Sequence, residues 1–246
     1  MVGCIAFRRA LGRGACTLAV ALLLLGALVP PQSATAQSRA ANTTDIQDLR
    51  ARKLFVRGMT QAYLEDYEEA VSHFERALEA APNNAAILSA LADVEGRRTN
   101  FSSALYYARE ARRRAPSTAY YHLELARLHQ SADQPRKAVA AYRRLLKRFP
   151  DNTSGRLALA RLQSERDRPR RALRHYEALV DSAARVPPEA YPEMLSLYQQ
   201  VGDAAGRERT LKRLIEQRRA TAQYRHRLGQ LYIQQERPRD AIAVLE

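Results

Sequence analysis

The chain is short of thiols and of backbone breakers, and it has no tryptophan. Of 246 residues only Cys4 and Cys16 are cysteines. Everything after residue 16 therefore has no disulfide, no thiol nucleophile and no cysteine metal site. Glycine and proline number 10 and 11, while 46% of residues are hydrophobic and recur regularly, which excludes a low-complexity or disordered composition. After residue 36 there is no Gly-rich phosphate loop, no His-Glu-x-x-His and no Gly-x-Ser-x-Gly. No catalytic residue, metal or cofactor is expected, and the chain is read as a non-enzyme. His122 and His129 lie seven apart on one helix face, about 10 Å along it, too far to share a metal. They are expected as packed or hydrogen-bonded histidines. The acidic cluster Glu65, Asp66, Glu68 and Glu69 stands at a helix start, where the dipole favours negative charge.

What is present begins with a leader. Residues 1–14 carry Arg8, Arg9 and Arg13 and no acid, residues 15–29 are apolar, and Pro30, Pro31 and Ala34-Thr35-Ala36 follow. This is the pattern of a signal peptide, residues 1–36, cut after Ala36. The apolar run falls short of the roughly 20 residues needed to cross a bilayer; the alternative is a retained anchor. Cys16 precedes most of the run, so it is badly placed for lipid modification. Without residues 1–36 the chain is cysteine-free and carries 37 basic against 26 acidic residues. That suits an oxidising compartment, and the chain is expected in the periplasm or cell envelope of a bacterium. Residues 37–50 are polar, without a helical stripe, and are read as a linker. Sequons occur at Asn42, Asn100 and Asn152.

From residue 51 the chain repeats itself, with units starting at 51, 85, 119, 153, 188 and 222. Counting each start as offset 1, offset 8 holds Gly58, Ala92, Ala126, Ala160, Leu195 and Gly229. Offset 20 holds Ala70, Ala104, Ala138, Ala172, Arg207 and Ala241. Small residues at these two points let two helices approach closely. Apolar residues cluster at offsets 4, 7, 8 and 11, then at 20, 24 and 27, the spacing of one helix face. Each unit is thus a helix pair, with large residues such as Phe74, Tyr142, Tyr176, Leu211 and Leu245 at offset 24. Pro82, Pro116 and Pro150 fall where the pair must end. Pro135, Pro169 and Pro238 fall at a first-turn position. Asp66, Asn100 and Asp203 are expected to cap second helices, with Asp66 and Glu69 as a capping-box pair.

Leu54, Gly58, Ala70, Phe74, Ala77 and Pro82 of the first unit resemble the tetratricopeptide repeat pattern, and the resemblance runs from residue 51 to the last residue. It implies an all-α, right-handed superhelix (solenoid) of about six helix pairs, the last incomplete, whose inner surface binds proteins or peptides. Two departures, Arg207 and Pro192, are expected to loosen or bend the fifth unit. The sixth unit stops at Glu246, inside its second helix, so more chain is expected to follow.

On a helical wheel, offsets 2, 5, 9, 12 and 13 of the first helices lie opposite the core offsets. Stacking lines them into one groove: Phe55, Met59 and Tyr63, then Asp93 and Arg97, then Tyr120, Leu123 and Arg127, then Leu157, Arg161 and Glu165. The apolar first unit calls for cover by a ligand or by residues 37–50. Arg97, Arg127 and Arg161 form either a row that grips carboxylates or a solvated face paired locally with Asp93 and Glu165. Residues 85–187 carry 21 basic against 10 acidic residues, much of the excess on second helices. The expected function is a non-catalytic scaffold holding a partner protein or peptide in the groove. Alternatives are the recruiting arm of an enzyme whose catalytic domain lies beyond residue 246, or electrostatic adhesion to an anionic envelope surface. The leader and the lack of a recognised motif speak against nucleic acid.

Overall fold

The computed structural model of the protein describes residues 32–181, 187–216 and 221–246, with side chains from residue 47 onward except Thr221. The basic segment and apolar run expected as a signal fall in residues 1–31, outside the described residues. None of the described helices is long and apolar enough to cross a membrane.

The chain divides into two units, Met1–Gln47 and Asp48–Glu246. Of the first, the described residues belong to α1 (Gln32–Tyr63), which also contains the expected cleavage triplet. Residues 37–50, expected as a polar linker without a helical stripe, are therefore helical. Ala, Arg and Gln are good helix formers, and each residue added to an existing helix gains a backbone hydrogen bond for one residue fixed. Gln47, Asp48, Leu49 and Arg50, the part of this segment whose side chains are described, are all exposed.

The second unit is an all-α repeat superhelix. After α1 come α2 (Tyr67–Ala80), α3 (Ala85–Arg97), α4 (Phe101–Arg114), α5 (Ala119–Ser131) and α6 (Pro135–Arg148). They are followed by α7 (Thr153–Glu165), α8 (Pro169–Asp181), α9 (Ala190–Val201), α10 (Ala204–Glu216), α11 (Thr221–Gln234) and α12 (Pro238–Leu245). Each helix packs on its chain neighbours, and α3 also touches α5. The small residues do what their spacing implies. A Cβ added to Gly58 would lie 2.6 Å from the Phe74 ring, so the close approach of α1 to α2 requires glycine there. Ala70, Ala104, Ala138 and Ala172 are wholly buried. Phe74, Tyr142 and Tyr176, one turn further along the same helices, are the bulkiest aromatic side chains with under 2% exposure; burying each contributes about 2–3 kcal/mol.

The fifth unit is not loose. Arg207 does occupy the register of the alanines, but the preceding Gly206 is buried, and a Cβ on it would meet Tyr198 at 2.3 Å. Gly206 thus supplies the close approach that Arg207 cannot. Pro192 is the third residue of α9, inside the first turn where backbone N–H groups have no intrahelical acceptor, so it costs no hydrogen bond. Tyr191, Met194, Tyr198, Leu211 and Leu214 are all buried.

The tight turn inside each pair has one residue of positive φ: Glu65, Thr99, Asp133, Asp167, Gly202 and Glu236. Only Gly202, at φ 72°, is a glycine. Capping agrees with expectation at Asp66, which accepts from Glu69 N at 3.2 Å, and at Asp203, which accepts from Gly206 N at 2.8 Å. It differs at Asn100, whose Nδ2 donates to Ser103 Oγ and whose side chain caps nothing. First helices have their own caps in Asn84 and Asn152, which take N–H groups of Ala86, Ile87 and Gly155.

Candidate functional site

Of the eleven residues expected to face the groove, the structure divides those at offset 5 from the rest. Leu123 and Leu157 are buried, and Phe55 is half-buried with its ring 5.6 Å from that of Phe74. Ser89, at the same offset in the second unit, is also buried. This position faces the neighbouring unit rather than open solvent, because the rotation between stacked pairs carries the next helix over it. These three residues are a correction to the expected groove: they floor it or pack beneath it. Met59 (49% exposed), Tyr63 (87%), Tyr120, Asp93, Arg97, Arg127 and Glu165 are exposed, and Arg161 is half-exposed.

A recess of about 280 Å³ lies between α3 and α5. It gathers five of the expected residues, Asp93, Arg97, Tyr120, Leu123 and Arg127. On its wall stands Glu124, which sequence reasoning missed. Its Oε2 accepts from Ser89 Oγ at 2.5 Å. Burial, helped by the nearby Asp93 charge and opposed by the Ser89 hydrogen bond and Arg127, pushes the Glu124 carboxyl up to about 7. The recess thus carries an acid whose charge changes near neutrality.

The three arginines do not form a row of free cations. Arg97 Nε donates to Asp93 Oδ2 at 3.0 Å, one turn away on the same helix, and the Asp93 charge raises its pKa. Arg161 makes a bidentate pair with Glu193 of α9, with Nη2 2.7 Å from Oε1 and Nε 3.1 Å from Oε2. The expected local partner Glu165 does not take part. The buried Tyr176 hydroxyl donates to the same Glu193 carboxylate. Burial works against ionisation of Glu193, but hydrogen bonds from Arg161 and Tyr176 and the Arg161 charge hold its pKa below the ordinary carboxylate range. Burial pushes the Tyr176 phenol up, helped by Glu193. Of the three, Arg127 alone is exposed and in no salt bridge among the described residues.

One register rule, which only the stacking of units reveals, accounts for Arg127 and Arg161. Offset 9 of one unit faces offset 6 of the next. Asp93 therefore meets Glu124 and Arg161 meets Glu193, but the register partner of Arg127 is Ala158. A second, largely apolar recess of about 440 Å³ lies beside α1 and α3, lined by Ala51, Arg52, Phe55, Val56 and Ile87. Among the described residues no group of His, Cys, Asp and Glu is arranged to hold a metal.

Residues 51–84 and residues 119–162 each match the tetratricopeptide repeat as a family. Among solved structures, a tetratricopeptide repeat protein from Parabacteroides merdae is 17% identical over 80% of this chain and 77% of its own, with a TM-score of 0.56. PilF from Pseudomonas aeruginosa is 16% identical over 80% of this chain and 90% of its own, with a TM-score of 0.57. At these identities the likeness is one of fold. No curated protein matches the sequence.

Proposed function

We propose that these tetratricopeptide-type repeats form a non-catalytic scaffold of the bacterial periplasm or cell envelope that holds an extended segment of a partner protein along the first-helix face. The observation that carries this reading is Arg127. It is an exposed guanidinium in no salt bridge among the described residues, beside a Glu124 whose pKa is raised to about 7, in a recess where Arg97 is already paired and Tyr120 and Leu123 offer apolar surface. A guanidinium in that setting binds a carboxylate through two parallel hydrogen bonds. The partner segment then has an acidic side chain or a free C-terminus for Arg127, and an apolar side chain against Tyr120. The neighbouring apolar recess beside Phe55 and Val56 takes a further hydrophobic residue. The basic, apolar and small-residue succession of residues 1–36 supports export.

The test is selection of a displayed random peptide library on the purified chain. Selected peptides are expected to be rich in acidic and aromatic or aliphatic residues and to lose tenfold or more in affinity on Arg127→Glu. Peptides indifferent to Arg127→Glu, in a variant that keeps full helicity, would remove the groove from the account.

A further inference from the structure

The opposite side of the repeats carries a second recess that the groove reading does not use. It measures about 290 Å³ and lies where the outer faces of α4 and α6 flank α5. Arg109 and Arg112 reach it from α4, His122 and His129 line it from α5, and Lys137 and Arg144 enter from α6. No carboxylate lines it among the described residues, and none of the four Arg and Lys side chains is in a salt bridge there. Arg112 Nε is buried without a hydrogen-bond partner among the described residues. Like charges gathered around one recess repel one another, and a bound anion relieves that repulsion.

Comparison with the preceding unit shows that this charge is not a property of every outer face, although the following unit is basic again, with Arg143 and Arg171 at the positions of Arg109 and Lys137. The positions of Arg109, His129 and Arg144 correspond, one unit earlier, to Glu75, Glu95 and Glu110. There the acids act on a tyrosine: burial raises the Tyr107 pKa, and Glu75 and Glu95 raise it further. The same outer groove therefore changes sign from one unit to the next.

The geometry points to an anion site for a compact, multiply charged phosphate group in the recess between α4, α5 and α6. Four cations demand more charge than one carboxylate carries, and guanidinium forks match phosphate oxygens. His129 Nδ1 donates to Gln134 Oε1 at 3.1 Å, so Nε2 is the nitrogen that takes up or loses a proton. Burial lowers the His129 pKa, and Arg109, Lys137 and Arg144 lower it further, the Gln134 hydrogen bond opposing them. Burial likewise lowers that of His122, with Arg112 and Arg148 adding to the effect against a hydrogen bond to the Pro116 carbonyl. A phosphate among these cations reverses their effect on His129.

Inorganic pyrophosphate titrated into the full chain tests this, with calorimetry and the histidine NMR signals as readouts. Binding is expected together with a rise of half a unit or more in the His129 pKa. Arg109→Ser/Arg144→Ser is expected to weaken binding at least tenfold. Arg170→Ser/Arg171→Ser, with the same loss of charge elsewhere on the surface, is expected to change it less than twofold. A parallel arm uses phosphatidylcholine vesicles containing phosphatidic acid. Vesicle binding lost only in Arg109→Ser/Arg144→Ser identifies a lipid headgroup as the source, and pyrophosphate binding alone identifies a soluble phosphate. Equal weakening in both double variants, or an unmoved His129 at millimolar pyrophosphate, overturns the proposal.

Discussion

Replacing Glu193 with alanine probes how the fourth and fifth units are joined. The carboxylate accepts from Arg161 on α7 and from Tyr176 on α8. Tyr176 is 1% exposed, so its hydroxyl would lose its acceptor inside the fold, at a cost of about 1–3 kcal/mol. The Arg161 and Glu193 side chains are 41% and 35% exposed, and the ion pair itself contributes about 0.5 kcal/mol after solvent screening. The expected total is roughly 2 kcal/mol. Arg161→Ala should cost only about 0.5–1 kcal/mol, because Tyr176 keeps its acceptor and water reaches the carboxylate. Stacked repeats open unit by unit, so native-state amide exchange is the assay. Glu193→Ala should speed exchange in α7 and α9 about 30-fold, as 1.4 kcal/mol is a factor of ten, and leave α3 unchanged. Equal effects of the two variants, or an equal loss of protection in α3, would refute this reasoning.

Gly58→Ala forces a methyl against the Phe74 ring and should lower stability by about 1–3 kcal/mol in denaturant unfolding. Gly96→Ala meets only the end of the Leu128 side chain and should be neutral or stabilising by up to about 1 kcal/mol. Asn84→Ala removes a cap with two hydrogen bonds and should cost about 1 kcal/mol, whereas Asn100→Ala, with no cap bond to lose, should cost clearly less. Glu124 has a folded-state pKa raised from 4.5 to about 7, so the folded state holds its proton longer than the unfolded chain. Stability should therefore fall as pH rises between those values and level off above them. Glu124→Gln should raise stability by about 2–3 kcal/mol at pH 8 and leave it unchanged at pH 4, measured as thermal unfolding across pH.

The repeat register, the helix pairs and the small-residue contacts were legible in the sequence because each depends on spacing within one unit. Gly58 against Phe74 and the prolines opening α6, α8 and α12 are local facts. What was not legible depends on how one unit rotates against the next. A wheel drawn for a single helix leaves Leu123 and Leu157 on the free face, and stacking buries them. It likewise pairs Arg161 with Glu165 by proximity in sequence, where the fold brings Glu193 from the following unit. The left-handed turn residues Glu65, Thr99, Asp133, Asp167 and Glu236 gave no glycine signal, because the packing of both flanking helices fixes their backbone. The helicity of residues 37–50 was missed because their sequence carries no apolar stripe, and a helix that extends an existing one needs none.

Site-specific photocrosslinking in the native host tests most directly whether the first-helix face holds a partner. A photoreactive residue replacing Tyr120 should yield a discrete adduct that disappears on Arg127→Glu, while one replacing Arg143 on the outer wall should yield no such adduct. Adducts of the same pattern from both positions, or an adduct at residue 120 that survives Arg127→Glu, would contradict the account.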